Sequence, residues 1–243
     1  MKLHTVRTPG GNECRMWCRD DTTDRMTVEV DIEQDRYGIA SLPRKGGLHI
    51  DIGAHIGTWL VAALIDDPEA TAIAVEPLPF NCGLISRNAR ENGVDDRVRI
   101  KERAFAKRGP VDIMWGFTSE EDPERAYMHK YIGGFSLSLM PDDVKYETWR
   151  APAVTPAKLL RGGTACLKVA GETSERALIG ADLSRVDYLL GKYHADLPDL
   201  VPWLLKTHDV KTRGAKDFGW YHATRTALGG PGILDIDERP IEG

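Results

Sequence analysis

The stretch His49-Ile50-Asp51-Ile52-Gly53-Ala54-His55-Ile56-Gly57-Thr58 constrains this chain more than any other. It reads as an apolar strand that runs into a glycine turn and directly on into an apolar helix. Gly53 permits a tight turn and Gly57 lets the helix start close to the strand, which is how open α/β sheets build a ligand crevice at their strand ends. The same alternation continues downstream with TAIAVE (71–76), a helical pattern over 79–92 and RVRIK (97–101). Apolar periodicity that switches repeatedly between two and helical predicts a parallel sheet with right-handed crossovers and helices on both faces.

Around this unit the chain divides into zones. Residues 1–46 form a β-rich lead-in, in which His4–Arg7 and Glu13–Cys18 flank the turn Thr8–Asn12 as a hairpin expected to cover a sheet edge or a pocket mouth. Residues 47–243 form the main domain. Its alternation stops near Ala106 and resumes near Ala165 with ACLKV, a helix over Ser174–Leu183, the strand VDYLL and a helix over Leu197–Lys206. The interval 106–163 is too long for a bare connection and holds seven of the eighteen aromatics, so it is expected to supply extra strands and a substrate-side cap.

At 243 residues the chain buries enough surface to need no staples, and its four cysteines (Cys14, Cys18, Cys82, Cys166) read as reduced thiols. The longest apolar run is far too short to span a bilayer and the first residues lack an apolar signal region, so the expected location is the cytoplasm with no membrane partner. A formal net charge of −5 argues against a global field that attracts nucleic acid. The seven histidines are scattered without ligand spacing, so no metal is expected.

The ligand is read from two acids. Asp51 stands at the strand end, where a carboxylate repels a pyrophosphate and suits a ligand with cationic groups. Glu76 follows 23 residues after Gly53, where an acid can accept both hydroxyls of a ribose. S-adenosylmethionine, with its sulfonium and amino groups, fits; a nicotinamide dinucleotide is the competing ligand.

Several motifs in order then resemble the FkbM-type family of S-adenosylmethionine-dependent methyltransferases: DIGAHIGTWL (51–60), AVEPLPFNCGLISRNARENGV (74–94), CLKVAGETSERALIG (166–180) and LLGKYH (189–194). The resemblance implies a Rossmann-like class I fold, a mostly parallel seven-stranded sheet with one antiparallel strand, and methyl transfer to a hydroxyl of a saccharide or small metabolite. It implies cofactor contacts from Asp51, Gly53, Ala54, His55, Gly57, Glu76 and Pro77, with Asn81 supporting that wall. Lys168, Glu172, Glu175 and His194 fall on motif positions near the acceptor, and His194, Glu172 and Lys168 are the catalytic candidates.

Two departures from the family pattern stand out. An Asp is Ala170 here, and an acid before the strand-end histidine is Lys192, so both changes make the acceptor pocket more positive. An anionic acceptor suits such a pocket, and a cofactor-binding protein without catalysis is the alternative. A third reading, a nucleic-acid-modifying methyltransferase, draws on 206–225, where five Lys/Arg interleave with Phe218, Trp220 and Tyr221.

Overall fold

The computed structural model describes residues 1–20, 22–42, 46–117, 131–135, 145–171, 174–194, 197–215, 218–226 and 232–237, with backbone alone at 114–117, 131–135, 145–147, 194, 197–198, 215, 218 and 237. The chain opens with the hairpin β1 (Lys2–Arg7) and β2 (Glu13–Cys18), then the short helix α1 (Asp24–Val28), which runs on through a π turn to Glu33. β3 (Gly47–Ile52), α2 (Thr58–Asp66), β4 (Ala70–Glu76), α3 (Pro79–Glu91) and β5 (Val98–Glu102) follow. Next come β6 (Ala104–Phe105), β7 (Val111–Phe117), β8 (Tyr131–Phe135), β9 (Lys145–Ala151), β10 (Ala153–Val154) and α4 (Pro156–Leu159). The chain closes with β11 (Thr164–Val169), β12 (Val186–His194), α5 (Leu197–Leu204), β13 (His208–Ala215), β14 (Phe218–Arg225) and β15 (Leu234–Asp237).

The main sheet has the order β15-β13-β14-β12-β11-β3-β4-β5. Every pairing within it is parallel except those of β14, which runs against both β12 and β13. This is the Rossmann-like class I arrangement, extended by one edge strand: the sheet has eight strands where seven were expected, because β15 adds to β13.

Side chains alternate across the sheet. Ile50, Ile52, Leu167, Val169 and Leu189 pack into one buried cluster with Leu200 and Leu204 of α5. On the opposite face, α2, α3 and the lead-in form a second cluster with Cys166, Leu190 and Trp220. α2 starts at Gly57 (φ 84°) and buries every residue except Ile65, as a helix that is apolar all round must.

The lead-in is only half β. Its hairpin forms where expected, with the register Arg7↔Glu13, but does not join the main sheet. α3 holds it instead. Asn88 accepts the Trp17 N–H at 2.7 Å, and Asn92 both accepts the Arg15 N–H at 2.9 Å and donates to the Arg15 carbonyl at 2.7 Å, so side-chain amides satisfy backbone groups that a neighbouring strand would otherwise pair. Asp66, a carboxylate poorly placed at a helix C-terminus, anchors the turn by accepting from Thr8 Oγ1 at 2.6 Å, the Gly10 N–H at 2.7 Å and Asn12 Nδ2 at 2.7 Å.

Three other expectations change. The helix over Ser174–Leu183 is a five-residue 3₁₀ turn, Ser174–Leu178, after which Gly180 takes φ 91°. The insertion folds into a separate sheet, β8-β7-β9. Of its aromatics, Trp149 is exposed, while Trp115, Phe117, Tyr131, Phe135 and Tyr146 have backbone alone described and Tyr127 lies outside the described residues. In the 206–225 hairpin Tyr221 is fully buried in the core, while Trp220 is nearly buried and lines the cleft beneath Arg36; Phe218 has backbone alone described. Among the described residues no helix is long and apolar enough to cross a membrane.

Candidate functional site

The carboxyl ends of β3, β4, β11 and β12 open onto a cleft of about 600 Å³. Thr23, Met26, Thr27, Val30, Asp31, Arg36 and Tyr37 of the lead-in wall one side, and Val111, Asp112 and Ile113 of the insertion stand on another. The part of the lead-in that reaches the cleft is therefore 23–37, and the hairpin, expected to cover a sheet edge or the pocket mouth, contributes no lining residue and packs on α3.

The glycine turn is shaped by its neighbours. Gly53 takes φ 71°, and a Cβ there would stand 2.5 Å from the Gly171 nitrogen, so the turn lies against the backbone just past β11 only because position 53 lacks a side chain. His55 also takes a left-handed φ, 52°, and its backbone N–H donates to Glu76 Oε2 at 2.9 Å. Glu76 Oε1 accepts from the Leu78 N–H and from Asn81 Nδ2, both at 3.1 Å. Burial raises the Glu76 carboxyl above the usual range, against the opposing pull of His55 and these hydrogen bonds.

The expected cofactor residues fall into two layers. Gly53, His55, Glu76 and Pro77 line the cleft. Asp51, Ala54, Gly57 and Asn81 lie behind it: Asp51 and Asn81 are wholly buried, Ala54 is nearly so, and Gly57 supplies the left-handed start of α2. Asp51 does not line the cleft, and the cation beside it is internal. Parallel register sets Lys168 of β11 directly beside Asp51 of β3, and Lys168 Nζ reaches Asp51 Oδ1 at 2.9 Å.

Lys168 lines the cleft, lies 5.0 Å from the Tyr37 ring centroid and is held above the usual lysine range: burial opposes its charge, but Asp51, Asp31 and Glu76 outweigh that. Asp51 Oδ2, buried beside it, has no hydrogen-bond partner among the described residues. An acid facing the cleft at Glu76, beside a turn that packs backbone to backbone at Gly53, fits the ribose of a nucleoside.

The two family departures meet here. Ala170 and Lys192 both line the cleft, together with Arg36, Arg103, Lys107 and Arg176. Those five cations, with Lys168 already matched by Asp51, face the carboxylates Asp31, Glu76 and Asp112, and Asp112 is paired with Arg150 at 2.9 Å. Cationic side chains therefore outnumber carboxylates among the residues that line the cleft. Glu175 is buried away from the cleft lining and its charge raises the Tyr221 hydroxyl further above its range, after burial. Glu172 lies outside the described residues, and only the backbone of His194, at the end of β12, is described.

Sequence reasoning passed over Arg19, Asp24, Arg36, Tyr37 and Gly171. Arg19 and Asp24 reach the site from across the lead-in, and their local signal was no more than an acid at the start of a five-residue helix. Gly171 could have been found as the glycine immediately after the family block's altered acid.

No family model matches the chain. It is 23% identical over 230 residues to the 31-O-demethyl-FK506 methyltransferase FkbM of Streptomyces tacrolimicus, covering 86% of this chain and 83% of that protein. Among solved structures, an O-methyltransferase family protein from Burkholderia thailandensis superposes with a TM-score of 0.49 at 11% identity, covering 83% of this chain and 58% of that one. TrmK of M. capricolum, solved with S-adenosyl-homocysteine, gives 0.48 at 7% identity over 80% of this chain and 67% of that one. Strand order, and not these superpositions, assigns the fold.

Proposed function

We propose that this relative of FkbM-type methyltransferases transfers a methyl group from S-adenosylmethionine to a hydroxyl oxygen of an anionic small molecule or saccharide. The observation that carries the acceptor class is that Ala170 and Lys192, which replace acids of the family pattern, line one cleft with Arg36, Arg103, Lys107 and Arg176. The cofactor half is supported by Glu76 at the end of β4 facing that cleft, beside a glycine turn that only Gly53 can make.

S-adenosylmethionine, when bound, supplies an electrophilic methyl group. Glu76 would accept a ribose hydroxyl at its one open acceptor position, and the turn at Gly53 would bring the backbone close to the nucleoside. Cations on the rim hold the anionic end of the acceptor, which fixes its hydroxyl near the methyl; positioning of this kind is the main contribution an in-line transfer asks of its enzyme. As the carbon–oxygen bond forms and the sulfur–carbon bond breaks, the hydroxyl proton must leave. His194, which ends the strand that carries Lys192 into the cleft, is proposed to take it.

A second reading, cofactor binding without turnover, draws on the same two acid losses. Incubation with methyl-labelled S-adenosylmethionine and a panel of phosphorylated or carboxylated saccharides and metabolites, each with its neutral analogue, separates the two. Label is expected on anionic members and should resist mild base, as an ether does and a methyl ester does not. Label confined to neutral members overturns the acceptor class; a folded, cofactor-binding protein that labels nothing favours the second reading.

A further inference from the structure

Five side chains and one peptide N–H close a ring of polar contacts between the lead-in and the cofactor turn. Arg19 donates from Nε to Asp24 Oδ2 and from Nη2 to Asp24 Oδ1, both at 2.8 Å, and the same Nη2 donates to Asn81 Oδ1 at 2.8 Å. Asn81 Nδ2 donates to Glu76 Oε1 at 3.1 Å. Glu76 Oε2 accepts the His55 N–H at 2.9 Å, and the His55 ring returns to the start, with Nε2 3.2 Å from Asp24 Oδ1. Asp24 is wholly buried, and although burial alone would raise its carboxyl, His55 and Arg19 hold it below the usual range.

The ring does two jobs at once. It turns the Asn81 amide so that its N–H and not its carbonyl faces Glu76, because Arg19 claims the oxygen. It also pins His55 in a backbone conformation that a side chain rarely adopts, which is what aims the His55 N–H at the second Glu76 oxygen. A carboxylate has about four acceptor positions, so three fixed donors leave one direction open, and Glu76 lines the cleft.

We infer that Arg19, Asp24 and His55 are positioning residues that orient Glu76 for the ribose of the cofactor, so that the lead-in is an integral part of the cofactor site. This rests on the reading of Glu76 as the ribose acid. None of the three touches the reacting atoms; each acts through Glu76.

The test compares binding of S-adenosylhomocysteine with that of its 2′-deoxyribose analogue by calorimetry. A site built to bond a hydroxyl rejects the analogue that lacks it, so the native protein should prefer the ribose form by about tenfold or more. Glu76→Gln should bring that ratio close to one. Arg19→Ala, Asp24→Asn and His55→Asn should each lower the ratio by about threefold or more, and Arg19→Ala should add nothing in the Glu76→Gln background. Should Arg19→Ala fail to fold, Arg19→Lys keeps the charge beside Asp24 but lacks the fork that spans to Asn81, and it should lower the ratio in the same way.

A purely structural role would weaken both ligands equally. Ratios unchanged in the Arg19, Asp24 and His55 variants, with the ratio lost in Glu76→Gln, overturn the positioning role alone. A ratio unchanged in Glu76→Gln overturns the ribose assignment and the positioning role with it.

Discussion

Lys168 Nζ stands 2.9 Å from Asp51 Oδ1, on adjacent parallel strands, with both side chains removed from solvent. Breaking a buried ion pair from one side leaves an uncompensated charge, at a cost of about 3–5 kcal/mol. Lys168→Met should therefore lower unfolding stability by about that amount, read from urea denaturation. The double variant Asp51→Asn with Lys168→Met should recover most of the loss, since neither charge remains. A single variant as stable as the native protein would show that the pair carries no such weight.

Gly53→Ala sets a Cβ at 2.5 Å from the Gly171 nitrogen and 3.0 Å from the Ala170 carbonyl carbon, at φ 71°. Backbone against backbone cannot give way as a flexible side chain can. The left-handed penalty and overpacking together cost about 2–4 kcal/mol. The variant should melt lower and lose S-adenosylhomocysteine binding by at least about 100-fold. Gly83, mid-helix in α3 with open space around its Cβ position, is the control, and Gly83→Ala should leave binding unchanged and melt no lower, since alanine suits a helix interior better than glycine.

Acid should weaken the fold early. His49, His208 and His222 are all held below the usual histidine range, in each case chiefly by burial. The unfolded chain therefore binds more protons than the native one as pH falls through about 6.5, and stability declines from there downward until the depressed native values are reached. Each group contributes a slope of up to about 1.4 kcal/mol per pH unit. Thermal midpoints measured between pH 8 and pH 5 should be level at the alkaline end and fall below pH 6.5. A midpoint that rises on acidification contradicts this.

The thiols should be inert in the folded chain. Burial, reinforced by nearby carboxylates, pushes Cys14, Cys18 and Cys82 up to about 12. An ordinary thiol, near 8.5, is largely thiolate at pH 9. Iodoacetamide at pH 9 should modify none of the three in the native protein and all of them in urea, as counted by mass spectrometry. Rapid native labelling at any one would show that its burial is transient.

The glycine turn was legible because it is local: strand, turn and helix follow one another within ten residues, and each residue's reason lies in its neighbours. The hairpin was legible for the same cause. The partners of that turn were not. Lys168 meets Asp51 through the pairing register of strands 117 residues apart, and Arg19 meets Asn81 across 62. Neither distance leaves a mark on periodicity. Asp51 illustrates this: an acid at a strand end suggests an external cation, and only the register reveals the internal one beside it. The 174–183 segment failed differently, since its apolar residues also suit a short 3₁₀ turn tucked under α5. β15 is four residues long and pairs only at the sheet edge, too little pattern to stand out.

The measurement that bears most directly on the whole account is calorimetric titration of the purified chain with S-adenosylmethionine and S-adenosylhomocysteine, beside Glu76→Ala and Asp51→Ala. Saturable binding that Glu76→Ala abolishes by removing a contact, and that Asp51→Ala abolishes by freeing Lys168 to repel a cationic ligand, is the predicted result. A folded protein that binds neither molecule, or binds both undiminished without Glu76, contradicts it.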